Sequence, residues 1–536
     1  MIVNGAESLI MSLAGNGVTH IFGYPGAANL PIYDSMLNHN IKHILPRCEQ
    51  SAAHAANGYA RASKKVGVCL ATSGPGATNL ITGIATAYGD SIPIVAITGQ
   101  VNRNLVGTDA FQEVDIIGAT TPFCKQNYMV QNAQDIPRIV AEAFYIAKSG
   151  RPGPVLIDIP LDVQKEKVTY KPCHKVDIRG YKPTVNPSIL QIKKLVSALK
   201  KSKRPVFVAG GGVISSDARE EFVKLCENLS IPAVTTLMGI GAIPKSHPLC
   251  FGMIGQHGER NANRLINSAD MVVLFGCRVG DRAMSPSAIS VKGALFSHID
   301  IDPAEIGKNI SVDIPIVGDV KNAISELLER CEKNKEHEAF AKSQMKEKAE
   351  FDLHTSKVNP KYLISCINEH IKDGANIVTD VGQNQIWTAN TIDIGTNSQF
   401  FTSGGLGTMG YGIPCAIGAK IANGKKTIVI CGDGGFQMSG LELATIVSEN
   451  LDIKIILFNN GYLGMVTEIQ NNHYNRRLNG VKLNGSPDFN IFAQAYGIKS
   501  KRIEHNGEVK EAIAECLSHE GPYLLEVMVD PFFSTL

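Results

Sequence analysis

Apolar residues fall along this chain in short β-branched runs, each followed by a glycine-rich turn and then by apolar positions at helical spacing. In the first third these runs are Thr19–Gly26, Val66–Gly76, Ile92–Gly99 and Gly153–Pro160; in the middle they are Arg204–Val213, Ala269–Asp281 and Phe296–Pro303. The last third holds Asn376–Gln383, Thr427–Cys431, Ile453–Phe458 and Tyr523–Asp530. Runs that are apolar throughout belong to strands buried on both faces, so the pattern predicts parallel sheets with crossover helices. Two polar interruptions separate the sets. Gln164–Pro187 reads as a linker, and the charged run Glu329–Glu350 reads as a helical connector, because burying its charges would be costly. The predicted architecture is α/β, with three α/β domains spanning 1–165, 188–335 and 357–536, joined by linkers 166–187 and 336–356. No short-period repeat is present, which excludes a solenoid.

Composition narrows the function classes. The chain has 536 residues, 19% charged and 44% hydrophobic, with a formal net charge of +2, so neither a disordered segment nor a polyanion-binding surface is expected. Nucleic acid is therefore not an expected partner. The apolar stretches near the start are broken by Asn4, Glu7 and Asn16 with no basic lead-in, and a membrane-length apolar run is absent, which points to a cytoplasmic protein. The 12 cysteines are scattered with no C-x-x-C pair, a pattern of isolated thiols and not of a zinc site or disulfide framework.

The most chemically specific stretch is GDGGFQMSGLELATIVSENLDIKIILFNN (Gly432–Asn460), a turn and helix set between two predicted buried strands. Gly434 and Gly435 let backbone N–H groups approach an anion at a helix start. Asp433 and Asn460, at successive strand ends, offer the hard oxygen ligands that Mg²⁺ prefers. The full run resembles the thiamine-diphosphate binding motif. Further motifs extend the resemblance over essentially the whole chain: FGYPGAANLPIYDS, RCEQSAAHAANGYARA, TSGPGATNLITGIATAY, GTDAFQEVDIIGATTPF and SGGLGTMGYG. Together they are similar to the catalytic large subunits of the acetohydroxyacid (acetolactate) synthase family. That family is built from pyrimidine-binding, central and diphosphate-binding domains.

The resemblance implies roles residue by residue. Glu49 would hydrogen-bond the cofactor's aminopyrimidine in a dry pocket and share a proton with it. Met409 would support the bent cofactor from below, and Val381, Gly382, Gln383, Gly434, Gly435, Leu463, Gly464 and Met465 would complete its binding site. Asp433, the Asn460 side chain and the Tyr462 carbonyl would hold Mg²⁺. Gln112 would donate to a developing oxyanion, Phe111 would shape the substrate pocket, and the backbone near Gly26 would add an oxyanion donor. The implied reaction decarboxylates pyruvate and joins the two-carbon unit to a second 2-keto acid, giving 2-acetolactate from two pyruvates. The implied assembly is a homodimer or homotetramer whose sites combine Glu49 of one chain with Asp433 and Asn460 of another. A small regulatory subunit and a place in branched-chain amino-acid biosynthesis are further family properties.

FAD is a second implied cofactor. Arg151, Gly210, Gly211, Gly212, Thr236, Leu237, His257, Gly276, Arg278, Arg282, Asp300, Asp319 and Val320 stand at positions similar to those that hold it. The net reaction needs no redox change, so the flavin's role would be structural; Arg282 would also face a substrate carboxylate. The chain departs from the family pattern at Ile469, where a tryptophan favours 2-ketobutyrate as acceptor, and at Leu161, where a lysine is usual. Other departures are Ala27 for a glycine, Asn384 for a histidine, Val279 and Gly280 for phenylalanine and aspartate, and Gln256 for a methionine. The sequence also ends soon after Tyr523–Asp530, without a proline-rich extension. These changes keep open a related carboligase with an aldehyde, another keto acid or a keto-sugar as acceptor, and an inactive subunit that regulates a partner.

Overall fold

The apolar runs become the strands of three six-stranded sheets in the computed structural model, which describes residues 1–284, 289–291, 293–346 and 350–535. The first region contains β1 (Ile2–Asn4), β2 (His20–Gly23), β3 (Lys42–Ile44), β4 (Gly67–Ala71), β5 (Ile94–Gln100), β6 (Gln126–Met129), β7 (Val155–Pro160) and β8 (Lys167–Thr169). Its sheet runs β3-β2-β4-β5-β7-β6, all parallel, while β1 and β8 pair antiparallel beside it. The middle region contains β9 (Pro205–Ala209), β10 (Ala233–Thr235), β11 (Cys250–Met253), β12 (Met271–Phe275), β13 (Leu295–Asp300) and β14 (Ile314–Val317), ordered β11-β10-β9-β12-β13-β14. The last contains β15 (Ala375–Thr379), β16 (Gln399–Phe401), β17 (Lys426–Gly432), β18 (Ile453–Asn459), β19 (Lys499–Ile503) and β20 (Tyr523–Met528), ordered β16-β15-β17-β18-β20-β19.

Continuous apolarity has a direct structural cause. In β4, Val68 and Leu70 feed the core on one face of the sheet, while Cys69 and Ala71 feed the core on the other. In β17, Ile428 and Ile430 face one core and Val429 and Cys431 the opposite one. Each fully buried aliphatic side chain of this kind stabilises by about 1.5–3 kcal/mol. Topology then separates the roles of the sheets. The first and last share one strand order, so they are two copies of one plan, while the middle sheet has the order of dinucleotide-binding folds, which reverses between β9 and β12.

The first and last regions meet through two helices, Glu49–Ser63 and Gly412–Asn423. Their backbones approach so closely that a Cβ at Gly418 would stand 1.8 Å from the Ala55 carbonyl oxygen, and one at Gly58 would stand 2.0 Å from that of Cys415. Gly418→Ala is therefore expected to lower stability by about 1–3 kcal/mol through overpacking, read as a fall in the urea midpoint. An unchanged midpoint would show that the helices separate at little cost.

Both predicted linkers are more structured than their polarity implies. Gln164 is fully buried and donates to the Ala28 and Ile159 carbonyls, and Val168 is buried in the β1–β8 pair, so the chain leaves the first region later than expected. The charged run is not one connector helix: Val320–Arg330 and Lys335–Ser343 are separate helices. The second packs onto the middle region through buried Phe340 and His337, whose Nε2 contacts the Leu199 and Ser202 carbonyls. The expected connector's residues 347–349 lie outside the described ones. Among the described residues, no helix is long and apolar enough to cross a membrane.

Candidate active site

The turn and helix predicted between two buried strands form. β17 ends at Gly432, a helix Asp433–Ser439 starts at once, and β18 delivers Asn459 and then Asn460 beside it. Asp433 is buried, with Oδ2 accepting from the Gly461 amide at 2.9 Å and Oδ1 from the Gly434 amide at 3.1 Å. Burial pushes its carboxyl up to about 6, so the site has a carboxylate short of counter-charge. With the Asn460 amide oxygen and the Tyr462 carbonyl nearby in sequence, the donor set is the hard-oxygen kind that fits Mg²⁺. Met409 and Leu463 close over Gly434, reaching to 3.3 and 2.9 Å of where a Cβ would be.

The loop that carries Met409 is held by residues that sequence reasoning left without a role. Asp380 is buried at the end of β15 and accepts from the amides of Val381, Gly410 and Gly412 at 2.8, 3.1 and 2.9 Å. Asp90, from the first region, accepts from Gly404 and Gly405 at 3.1 and 2.6 Å. Arg61 donates to the Phe400 and Thr402 carbonyls and to the Tyr411 hydroxyl. Asp90 and Arg61 lie in or beside quoted motifs, but a contact across more than 300 positions leaves no local signal. Burial raises both the Asp90 and the Asp380 carboxyl pKa.

The second cluster sits at the carboxyl ends of β2, β3, β4 and β5. Glu49 opens the helix Glu49–Ser63 and accepts from Asn79 Nδ2 at 3.0 Å. A Cβ on Gly76 would be 3.3 Å from Glu49 Oε1, and one on Gly74 would be 2.9 Å from the Gln112 backbone. Gln112 holds a left-handed conformation, φ 59°, which costs a non-glycine residue about 1–3 kcal/mol and marks a position fixed by its surroundings. In the single chain Glu49 is half-buried and Phe111 is 88% exposed. The Gly26 N–H is no oxyanion donor, since it is already committed to Asn29 Oδ1 at 2.8 Å.

A cavity of about 1280 Å³ lies where the three regions meet. Val381, Gly382, Met409, Met465 and Ile469 line it from the last region. Arg151, Gly211, Gly212, Thr236, Leu237, His257, Gly276, Arg278, Arg282, Asp300, Asp319 and Val320 line it from the first and middle regions. Gly210 is outside this lining: its Cβ would meet the Gly276 carbonyl at 2.2 Å, so it serves the packing of two turns. Arg151 does not present a free guanidinium either, being bonded to Ser91, Asp302 and Glu305. Asp319 caps the helix Val320–Arg330 by accepting from the Lys321 and Asn322 amides. Arg282 stays largely exposed and donates to Gln256 at 2.5 Å. Glu49, Gly26, Phe111 and Gln112 do not line this cavity, nor do Asp433, Asn460 and Leu161. The two halves of the expected catalytic centre thus occupy equivalent ends of two similar sheets.

Comparison with known proteins agrees with this geometry. Residues 3–119 match the thiamine pyrophosphate enzyme N-terminal TPP binding domain, residues 192–327 the central domain, and residues 380–527 the C-terminal TPP binding domain. A probable acetolactate synthase large subunit of Methanocaldococcus jannaschii is 46% identical over 545 residues, covering 99% of this chain and 92% of that protein. The corresponding protein of Methanococcus aeolicus is 45% identical over 99% of this chain and 92% of its own length. An acetolactate synthase of Arthrospira platensis is 44% identical over 98% of this chain and 94% of its own length. This chain belongs to the thiamine pyrophosphate enzymes, within the acetolactate synthase large-subunit family.

Proposed function

We propose that the chain is the catalytic subunit of an acetolactate synthase, which decarboxylates pyruvate and joins the two-carbon unit to a second 2-keto acid. The observation that carries this reading is the pair of matched half-sites, Glu49 with Gln112 on one sheet and Asp433 with Asn460 and Met409 on its topological twin. Thiamine diphosphate, when bound, supplies a cationic ring that accepts the electron pair released with CO₂. Asp433, Asn460 and the Tyr462 carbonyl would hold its Mg²⁺, with Gly434, Gly435, Gln383 and Gly464 lining the diphosphate. Glu49 would keep a proton at the pyrimidine nitrogen. Gln112 would donate its side-chain N–H to the oxygen of the reacting carbonyl.

Each complete centre would combine half-sites of two chains. Leu30, Phe111, Met438 and Leu441, beside the two clusters, are 54%, 88%, 63% and 60% exposed, an apolar surface that a second copy would cover. FAD would lie in the central cavity, supported by the dinucleotide-type strand order and the close glycine turns after β9 and β12. A smaller regulatory partner and a cytoplasmic location go with this reading.

Pyruvate, thiamine diphosphate and Mg²⁺ should yield 2-acetolactate, measured as product; bound cofactor without acetolactate would reject the assignment. Ile469 lines the cavity at 42% exposure and gives less acceptor contact than an indole would. That observation favours pyruvate over larger acceptors and keeps the aldehyde or keto-sugar alternative testable. Ile469→Trp is expected to shift competition toward 2-ketobutyrate by about tenfold, in line with one well-packed apolar group. An unchanged product ratio would place the acceptor elsewhere.

A further inference from the structure

The segment after β20 turns back over the Gly432–Asn460 cradle. Phe533 packs edge-on against Trp387 with ring centroids 5.9 Å apart, and the Trp387 indole N–H donates to the Ser534 carbonyl at 3.0 Å. Glu468, on the helix Gly464–His473, holds this segment with one carboxylate oxygen. Its Oε1 accepts from the Thr535 amide at 3.1 Å, Thr535 Oγ1 at 3.0 Å and Ser534 Oγ at 3.2 Å. The other oxygen, Oε2, accepts from Gln383 Nε2 at 2.9 Å, and the Phe533 carbonyl accepts from the same nitrogen at 3.0 Å.

Both groups that face Gln383 Nε2 are acceptors without a proton to give. The Gln383 amide therefore has one satisfied orientation, nitrogen toward Glu468 and Phe533, oxygen toward Asn460. Asn460 Nδ2 donates to that oxygen at 3.3 Å, so Asn460 Oδ1 points the other way, where it accepts from the Tyr462 amide at 2.9 Å and retains a second lone pair. The two amides meet over Gly464, where a Cβ would be 2.1 Å from Gln383 Oε1 and 2.7 Å from Asn460 Nδ2.

We propose that Glu468 is a positioning residue that fixes, through Gln383, the orientation in which Asn460 presents oxygen and not N–H to the cradle's cation. The proposal rests on the Mg²⁺ reading of the cradle given above. Outer partners of this kind, when removed, typically cost about 10–100-fold in metal affinity or activity.

The test uses the full chain with thiamine diphosphate and Mn²⁺ in place of Mg²⁺, following free Mn²⁺ by electron paramagnetic resonance. Glu468→Ala is expected to weaken Mn²⁺ binding by about tenfold or more, while the rate at saturating metal is retained. Glu468→Gln, which can accept from Gln383 or from Thr535 but not both, should lose less. Asn460→Asp supplies the decisive background, because a carboxylate offers oxygen in either orientation. There, Glu468→Ala should cost no Mn²⁺ affinity. The chain's single tryptophan, Trp387, reports by its emission whether the segment over it stays docked in each variant. Equal losses in both backgrounds, or no loss in either, would overturn the proposal. Failure of the parent chain to bind Mn²⁺ with thiamine diphosphate present would overturn the cradle reading and this proposal with it.

Discussion

Glu49→Gln is expected to lower turnover of pyruvate by about 10²–10⁴-fold, the usual contribution of a positioned acid–base group. The amide keeps the size of the carboxyl and its contact with Asn79, but it cannot hold and return a proton at a ring nitrogen. Its effect on folding should be small, because a carboxylate at a helix start stabilises by only about 0.3–1 kcal/mol. Thiamine-diphosphate binding should persist, measured by calorimetry, so that the loss appears in kcat and not in occupancy. Normal turnover would remove Glu49 from the role given to it here.

The second large effect is expected at Asp433. Asp433→Asn keeps the acceptor geometry toward Gly461 but removes the charge that burial leaves uncompensated. Because even outer partners of a metal are worth about 10–100-fold in affinity, loss of a directly ligating charge should exceed about 100-fold for Mg²⁺. The fold should survive, since the sheet around β17 and β18 is held by cores on both faces. Parent-like Mg²⁺ dependence would move the cation away from Asp433.

The sequence made the interior of each sheet legible and left its edges obscure. In the first and last regions the predicted runs became β2, β4, β5 and β7, and β15, β17, β18 and β20, strands covered on both faces and so mostly apolar, with a few buried polar side chains such as Asp158 and Glu526. Both edges of each, β3 with β6 and β16 with β19, carried no continuous run, because edge strands present polar residues such as Lys42, Gln126, Gln399 and Lys499. The middle region hid β10, β11 and β14 for a related reason, as three- and four-residue strands are too short to show a period.

The geometry of the candidate site was legible where its residues are packed into one motif, as in Gly432–Asn460, and not where they are spread. Asp90, Arg61 and Asp380 hold the Met409 loop, yet only folding brings them there. Glu468 is one polar residue in GMVTEIQ, and only its hydrogen bonds to Gln383 and Thr535 distinguish it from a solvated helix position. Gly26 shows the same limit: the resemblance implied an oxyanion donor in the backbone near it, and the turn that follows places Asn29 to take the Gly26 amide itself.

Subunit complementation tests the two-chain carboligase most directly. Chains carrying Glu49→Gln and chains carrying Asp433→Asn are co-expressed, and acetolactate formation from pyruvate is measured against each variant alone. Random pairing makes half of the dimers mixed, and each mixed dimer has one centre with both Glu49 and Asp433 intact, so about a quarter of parental activity should return. A mixture no more active than the separate variants would contradict a catalytic centre shared between two chains.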